Sequence, residues 1–324
     1  MTDTGPLFVS SGDLIVDRRY KSALYLASRG DFAGAADILA QTVAIAPRFA
    51  TAWFALGAIR DRLGDRDGAI AAFEQARDAD AEDYHGARLQ LARLGAGAAT
   101  PAMTQTYVRR LFDQYASRYD AALTEHLHYR GPAILRDAVE AAMREAGRPV
   151  RFGSMLDLGC GTGLGGAAFR PSVDWLVGVD LSLAMIAQAA AKGLYDRLVT
   201  ADLKEFLAGE IAERGRHHLV LAADVFVYLS DLAPIVNGVA QILAPDGLLA
   251  FTAETHFGAG VKLLPTLRYA HGEGYLRAVL NDAGLALAHL AKVPVRSEKG
   301  VPVDSLVVVA RPSTAMRAPA SSGA

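Results

Sequence analysis

The order of apolar and polar positions changes character along this chain. Over residues 1–95, small and apolar side chains recur at helical spacing, and the pattern repeats. Gly30-Asp31 returns as Gly64-Asp65, Ala35 as Ala69 and Leu39 as Phe73, all at an offset of 34. The second copy carries Trp53-x-x-Leu56-Gly57, then Ala69, Phe73 and Ala76. Small residues at these places let the two helices of each pair approach closely. Ala87, Leu91 and Leu94 fit one further helix, which reads as a cap. Two repeats and a cap lie near the lower limit for a stable array, so this region is expected to lean on the rest of the protein.

Residues 96–103, within and after the small-residue run Gly95–Pro101, read as a linker. Tyr107, Leu111, Tyr115 and Tyr119 then recur at spacing four, which predicts a helical stripe. Gly131-Pro132 opens another helix running towards Gly147. From 152 the pattern switches to apolar runs separated by helical segments. Strands are expected at 154–159, 175–180, 197–201, 217–223, 247–253, 285–294 and 304–310. Continuous apolar strands between helices indicate an α/β unit whose parallel sheet is covered on both faces. It spans 104–311, with 104–148 as N-terminal cap helices, and the Ser/Ala/Pro-rich stretch 312–324 reads as a disordered tail.

Chemistry concentrates at the predicted strand ends. The first strand closes in Asp157 and a loop of Gly159, Cys160, Gly161, Thr162 and Gly163. Such a loop lets backbone N–H groups approach a ligand. Asp180, Asp202 and Asp224 close the next three strands. Ligands of open α/β sheets bind beyond these C-terminal ends. Two ligand classes compete. Gly161-x-Gly163-x-x-Gly166 with Asp180 satisfies the dinucleotide fingerprint, which would make the chain a nicotinamide-dependent oxidoreductase. Asp157 inside the first strand speaks against a pyrophosphate, and a row of acids suits a cationic ligand. Asp202 reads either as a ligand contact or as a helix N-cap. Asp224 stands open between ligand edge, substrate side and cap.

The joint spacing identifies a resemblance. Leu156-Asp-Leu-Gly-Cys-Gly-Thr-Gly163 resembles motif I of class I S-adenosylmethionine-dependent methyltransferases, and Val-Gly-Val-Asp180-Leu-Ser, Ala-Asp202-Leu203 and Leu-Ala-Ala-Asp224 resemble their second to fourth motifs. The N-terminal repeats, at period 34 with W-x2-L-G and A-x3-F, resemble tetratricopeptide repeats. The first copy departs from that pattern at Arg19 and the second at Ala81. The whole is similar to bacterial methyltransferases with an N-terminal tetratricopeptide region. The resemblance implies a Rossmann-like seven-stranded sheet with the last strand antiparallel, and S-adenosyl-L-methionine as cofactor. It implies that Asp180 binds the ribose hydroxyls. Asp202, with the Leu203 backbone, would meet the adenine amino group. Asp157 would face the methionine ammonium, Leu181 and Met185 would flank adenine, and the glycine loop would pass under the carboxypropyl chain. Tyr107 and Tyr115 match a helix that caps the cofactor in related enzymes. On the acceptor side the candidates are Asp224, Tyr228, Tyr269 and His271; a general base is needed only for an acceptor that carries a proton at working pH.

Composition narrows the partners. A net charge of −2 gives no electrostatic case for nucleic acid or an anionic membrane. Asp224 is followed by Val-Phe-Val, not by the Pro-Pro-Tyr/Phe used in amino methylation of bases. A small-molecule or protein acceptor is therefore expected, with the repeats recruiting a protein partner; a cofactor-binding adaptor without turnover is the alternative. No apolar run approaches the roughly 18 residues of a membrane span. The single cysteine and the absence of a basic signal flank point to the cytoplasm. No metal site is expected: His126 and His128 diverge on a helix, and His217 and His218 point to opposite faces of a strand.

Overall fold

The computed structural model describes residues 7–121, 129–298 and 300–313. His126 and His128, and the tail from 314, lie outside the described residues. The chain divides into two compact units, one built on residues 1–111 with 263–267 and the other on 112–262 and 268–324.

In the first unit, helices α1 (Leu14–Ser28) and α2 (Phe32–Ile45) form one antiparallel pair, and α3 (Ala50–Arg62) and α4 (Arg66–Ala79) form a second; α5 (Ala87–Arg93) follows. Positions 34 apart occupy equivalent places. Asp31 caps α2 by accepting from the Gly34 N–H at 2.9 Å, and Asp65 caps α4 by accepting from Gly68 N–H at 3.0 Å. Ala35 and Ala69 are both fully buried, as are Leu39 and Phe73. Gly57 shows why small residues are needed: a Cβ there would sit 2.7 Å from the Phe73 ring. Ala87 and Leu91 of α5 are buried, as is Leu94 at its C-cap.

Helix α6 (Gln105–Tyr115) carries the tyrosine stripe, but none of its residues is fully buried. It gives way to a 3-10 turn, Ala116–Arg118, and the short α7 (Tyr119–Ala121), so Tyr119 leaves the straight stripe. Helix α8 (Gly131–Glu145) starts with Pro132 in its first turn, where the missing N–H costs nothing.

The α/β unit is built on strands β1 (Phe152–Leu158), β2 (Val173–Asp180), β3 (Arg197–Thr200), β4 (His217–Ala222), β5 (Leu243–Glu254), β8 (Leu285–Glu298) and β9 (Val301–Pro312). Their order is β3-β2-β1-β4-β5-β9-β8. The first five run parallel, and β9 is antiparallel to both β5 and β8. A separate ribbon pairs β6 (Val261–Leu263) with β7 (Tyr269–His271). Helices α9 (Leu164–Phe169), α10 (Leu183–Ala191), α11 (Leu203–Ala212), α12 (Ala233–Ile242) and α13 (Glu273–Asp282) complete the unit.

Alternation along the strands sorts side chains into two cores. Leu219 and Leu221 of β4 pack into the layer that contains Leu135, Val139 and Met143 of α8. Val220 and Ala222 pack into the opposite layer, with Leu207 of α11, Val236 and Val239 of α12 and Leu276 of α13. Burial on both faces is why these strands read as unbroken apolar runs. The order reverses between β1 and β4, and the chemistry sits in the crevice beyond the strand ends at that point. Among the described residues, no helix is long and apolar enough to cross a membrane.

Candidate functional site

Past Leu158 the chain turns through Gly159, Gly161 and Gly163, all with left-handed backbone at φ +64°, +53° and +91°. At Gly159 a side chain has no room as well as the wrong φ: a Cβ would lie 2.6 Å from Val225. Cys160 N–H donates to Val179 O at 3.0 Å, which ties the loop to β2. The Cys160 thiol is buried and its pKa is pushed up by burial and by Asp157 and Asp180, so it is an inert filler.

Asp180 ends β2 under this loop. One carboxylate oxygen accepts from Gly161 N–H at 2.9 Å and the other from Ser182 N–H at 2.8 Å. Burial raises its pKa to about 6, against the pull of these N–H donors. Each oxygen has a second lone pair available for a ligand hydroxyl.

Asp157 is 1% exposed. Tyr195, in the turn before β3, donates its hydroxyl to Asp157 Oδ2 at 2.7 Å. Burial raises the Asp157 pKa to about 7, with Asp180 adding to the rise and the Tyr195 and Gly166 donors opposing it. Asp157, the glycine loop, Leu164, Tyr119 and Tyr129 line a cavity of about 30 Å³.

The segment after Leu111 is pinned over the loop. Asp113 accepts from the Ser182 hydroxyl at 2.6 Å, Asp120 from Thr162 Oγ1, and Asp120 pairs with Lys192 at 2.7 Å. The Tyr115, Tyr119, Phe112 and Tyr228 rings follow one another edge to face at 5.8, 6.0 and 5.2 Å. Tyr115 and Tyr228 therefore join the cover above the loop. Tyr107 belongs to the helical unit, with its ring packed on Gly86, where a Cβ would come within 2.7 Å.

At the third strand end Asp202 is the N-cap of α11, its Oδ1 accepting from Lys204 N–H at 2.9 Å and Glu205 N–H at 3.3 Å. Leu203 and Leu181 are half-buried, whereas Met185 is completely buried beneath the Ser182 cap of α10.

At the fourth strand end the structure shows a charge network that the sequence patterns missed. Asp224 takes φ +60°, its N–H donating to Thr252 Oγ1 at 2.8 Å. Arg296, with no exposed side-chain surface, reaches Asp224 at 2.5 Å, Glu254 at 2.6 Å and Glu298 at 3.3 Å. Arg268 pairs with Glu298 and hydrogen-bonds Tyr228. Glu254 closes β5, so the strand-end rule that picked out the four aspartates would have found it. Arg296 had a weaker signal, a cation directly after the apolar run Val293-Pro-Val295. Tyr195 had none, because its role rests on three glycines distant in sequence.

His271 is a correction. The expected candidate base has no exposed surface; Nε2 donates to Leu229 O at 2.9 Å, and the ring stacks on Tyr275 at 5.7 Å. Burial lowers its pKa to about 4, so the ring is neutral and built into the packing. Tyr269 is likewise buried, at 1% exposure.

Residues 156–249 match the methyltransferase domain family. Over 108 residues the chain is 37% identical to human methyltransferase-like protein 27, a stretch that covers 33% of this chain and 42% of that protein; the chain thus spans less than half of that relative. Magnesium protoporphyrin IX methyltransferase from Synechocystis, solved with S-adenosylhomocysteine, superposes at TM-score 0.50 and 19% identity, covering 64% of this chain and 99% of that one. A Burkholderia thailandensis 1,6-didemethyltoxoflavin N1-methyltransferase gives 0.48 and 20%, covering 64% and 87%. Sheet order, glycine loop and the Synechocystis superposition agree: the α/β unit has the Rossmann-like fold of class I methyltransferases.

Proposed function

We propose that the chain transfers a methyl group from S-adenosylmethionine to a small-molecule or protein acceptor. The observation that carries this reading is the set of carboxylates Asp157, Asp180 and Asp202 at the ends of β1, β2 and β3, around a glycine loop. A pyrophosphate would be repelled there, whereas hydroxyl, amino and ammonium groups would find acceptors. In this reading Asp180 binds the ribose hydroxyls with its remaining lone pairs, and Asp157 receives the ammonium. Asp202 meets the adenine amino group while it caps α11, Leu203 and Leu181 flank the ring, and Met185 supports them from below.

When bound, the cofactor supplies a sulfonium-activated methyl group. The residues of this chain then have to orient the acceptor and exclude water. Tyr129 lies between Asp157 and Asp224, and Tyr228 faces Asp224 on the acceptor side; burial raises both hydroxyls' pKa, so both are neutral donors. Asp224, clamped by Arg296, is the carboxylate placed to take a proton from an acceptor that carries one. A ligand of this size needs several hundred Å³, far above the 30 Å³ cavity, so binding displaces the Tyr115–Tyr119 cover.

The 34-residue equivalence of Asp31 and Asp65 supports reading the helical unit as tetratricopeptide repeats, and in this reading such repeats would recruit a protein partner. The test of the cofactor reading is calorimetric titration with S-adenosylhomocysteine, with NAD in parallel. Binding of the first alone supports methyl transfer. Binding of NAD alone refutes it.

A further inference from the structure

We propose that Tyr195 is a positioning residue for Asp157: its hydroxyl holds the carboxylate towards the glycine-loop cavity, where it receives the ammonium group of the bound cofactor. This rests on the methyl-transfer reading above.

The ring lies in a slot cut by glycines. A Cβ at Gly178 of β2 would fall 2.7 Å from Tyr195 Cε1, one at Gly166 of α9 2.5 Å from Cζ, and one at Gly163 3.0 Å from Cε2. Two of these glycines pair with a strand or sit in a helix, where glycine is unfavourable by about 0.5–1 kcal/mol relative to alanine. The slot leads the hydroxyl to one place, Asp157 Oδ2, and Gly166 N–H in turn donates to that hydroxyl at 3.2 Å. The backbone beside the ring is fixed as well: Asp196 N–H donates to Leu176 O at 2.9 Å, and its carboxylate accepts from Leu176 N–H at 2.7 Å and pairs with Arg170 at 2.7 Å. Gly165 completes the fit from the opposite side, since a Cβ there would lie 2.8 Å from Asp157 Oδ2.

The groups facing Asp157 come from every neighbouring element. They are Tyr195 before β3, the Gly166 N–H on α9, Asp180 on β2, Cys160 in the loop and Tyr129 before α8. Asp180 and burial both disfavour the carboxylate; Tyr195 and Gly166 favour it. Removing the hydroxyl therefore moves Asp157 towards its protonated form, which cannot pair with an ammonium. Replacing Tyr195 by Phe keeps the ring in its slot and isolates this effect.

The test is calorimetric titration of the full-length protein with S-adenosylhomocysteine between pH 6 and 9, for wild type, Tyr195→Phe and Asp157→Asn. Wild type should gain about tenfold in affinity from pH 6 to 8, the titration of one group near 7. In Tyr195→Phe the midpoint should move up by about one unit, with binding about fivefold weaker at pH 7 and recovered by pH 9. Asp157→Asn should lose the part of the rise centred near 7 and keep only that of Asp180, centred near 6, and adding Tyr195→Phe to it should change nothing more. The ligand's own amino group titrates identically in all three. An unchanged midpoint in Tyr195→Phe overturns the proposal, even if binding is uniformly weaker. If Tyr195→Phe does not fold, an Asp157→Asn profile identical to wild type overturns it instead. Failure of wild type to bind at any pH is a different result: it refutes the cofactor reading itself.

Discussion

Arg296→Met is the most demanding test of the α/β unit. The guanidinium has no exposed surface and contacts Asp224 at 2.5 Å, Glu254 at 2.6 Å and Glu298 at 3.3 Å. Asp224 and Glu254 are 9% and 6% exposed at their side chains, so water cannot replace the lost cation. Glu298, 21% exposed, keeps Arg268. Methionine fills most of the vacated volume, so the loss is electrostatic. Breaking a buried pair by removing one partner costs about 3–5 kcal/mol. For a unit of this size that corresponds to roughly 6–20 °C in melting temperature. The pH-dependence supplies a second signature. Burial already raises the Glu254 pKa, and Arg296 is the largest influence opposing the rise. Without Arg296 the folded-state pKa of Glu254 rises further above its unfolded value, so the variant's deficit relative to wild type should shrink as pH falls from 7 to 5. Urea denaturation at both pH values, followed by a signal from the α/β unit, measures this. A loss below about 1 kcal/mol at pH 7, the range of exposed ion pairs, would refute the buried-network reasoning.

Asp180→Ala should weaken S-adenosylhomocysteine binding by about 1.5–3 kcal/mol, or 10- to 150-fold by calorimetry, with the fold intact; equal affinity would remove Asp180 from the site. His271, lowered to about 4 by burial, destabilises the fold as pH drops below its unfolded value of 6.5. It should account for about 2 kcal/mol of the loss between pH 7 and 5, and His271→Asn should flatten that part of the unfolding profile. Asp31→Ala and Asp65→Ala should each cost the helical unit about 1 kcal/mol in urea denaturation, and unequal losses would argue against equivalent caps. Asp120→Asn, which loosens the ties to Thr162 and Lys192, should bind S-adenosylhomocysteine a few-fold faster in stopped flow if the cover must move.

Periodicity and local chemistry were enough for much of the α/β unit. The apolar runs between helices announced a two-faced parallel sheet, because burial on both sides removes the polar alternation. The strand ends at Asp157 and Asp180 and the turn between them were legible as local structure, because a glycine-dense run after an apolar strand marks a tight turn. The tyrosine stripe misled at both ends. Spacing four is blind to whether the helix continues, and it broke at Tyr115; Tyr107 packs on Gly86, a neighbour no periodicity names. His271 looked available among polar and aromatic neighbours, yet a three-residue strand buries it.

By itself, then, the sequence determined what local rules can encode: where the strands of the main sheet and its helices lie, which acids follow the first four strands, and that helices repeat at 34 residues. Only the tertiary structure decided which distant groups meet. Arg296 reaches Asp224 and Glu254 across 72 and 42 residues, and Tyr195 reaches Asp157 across 38. These pairings depend on strand order and on space left by glycines, and both arise only when the chain packs. That packing gives the acid at each strand end its own set of partners.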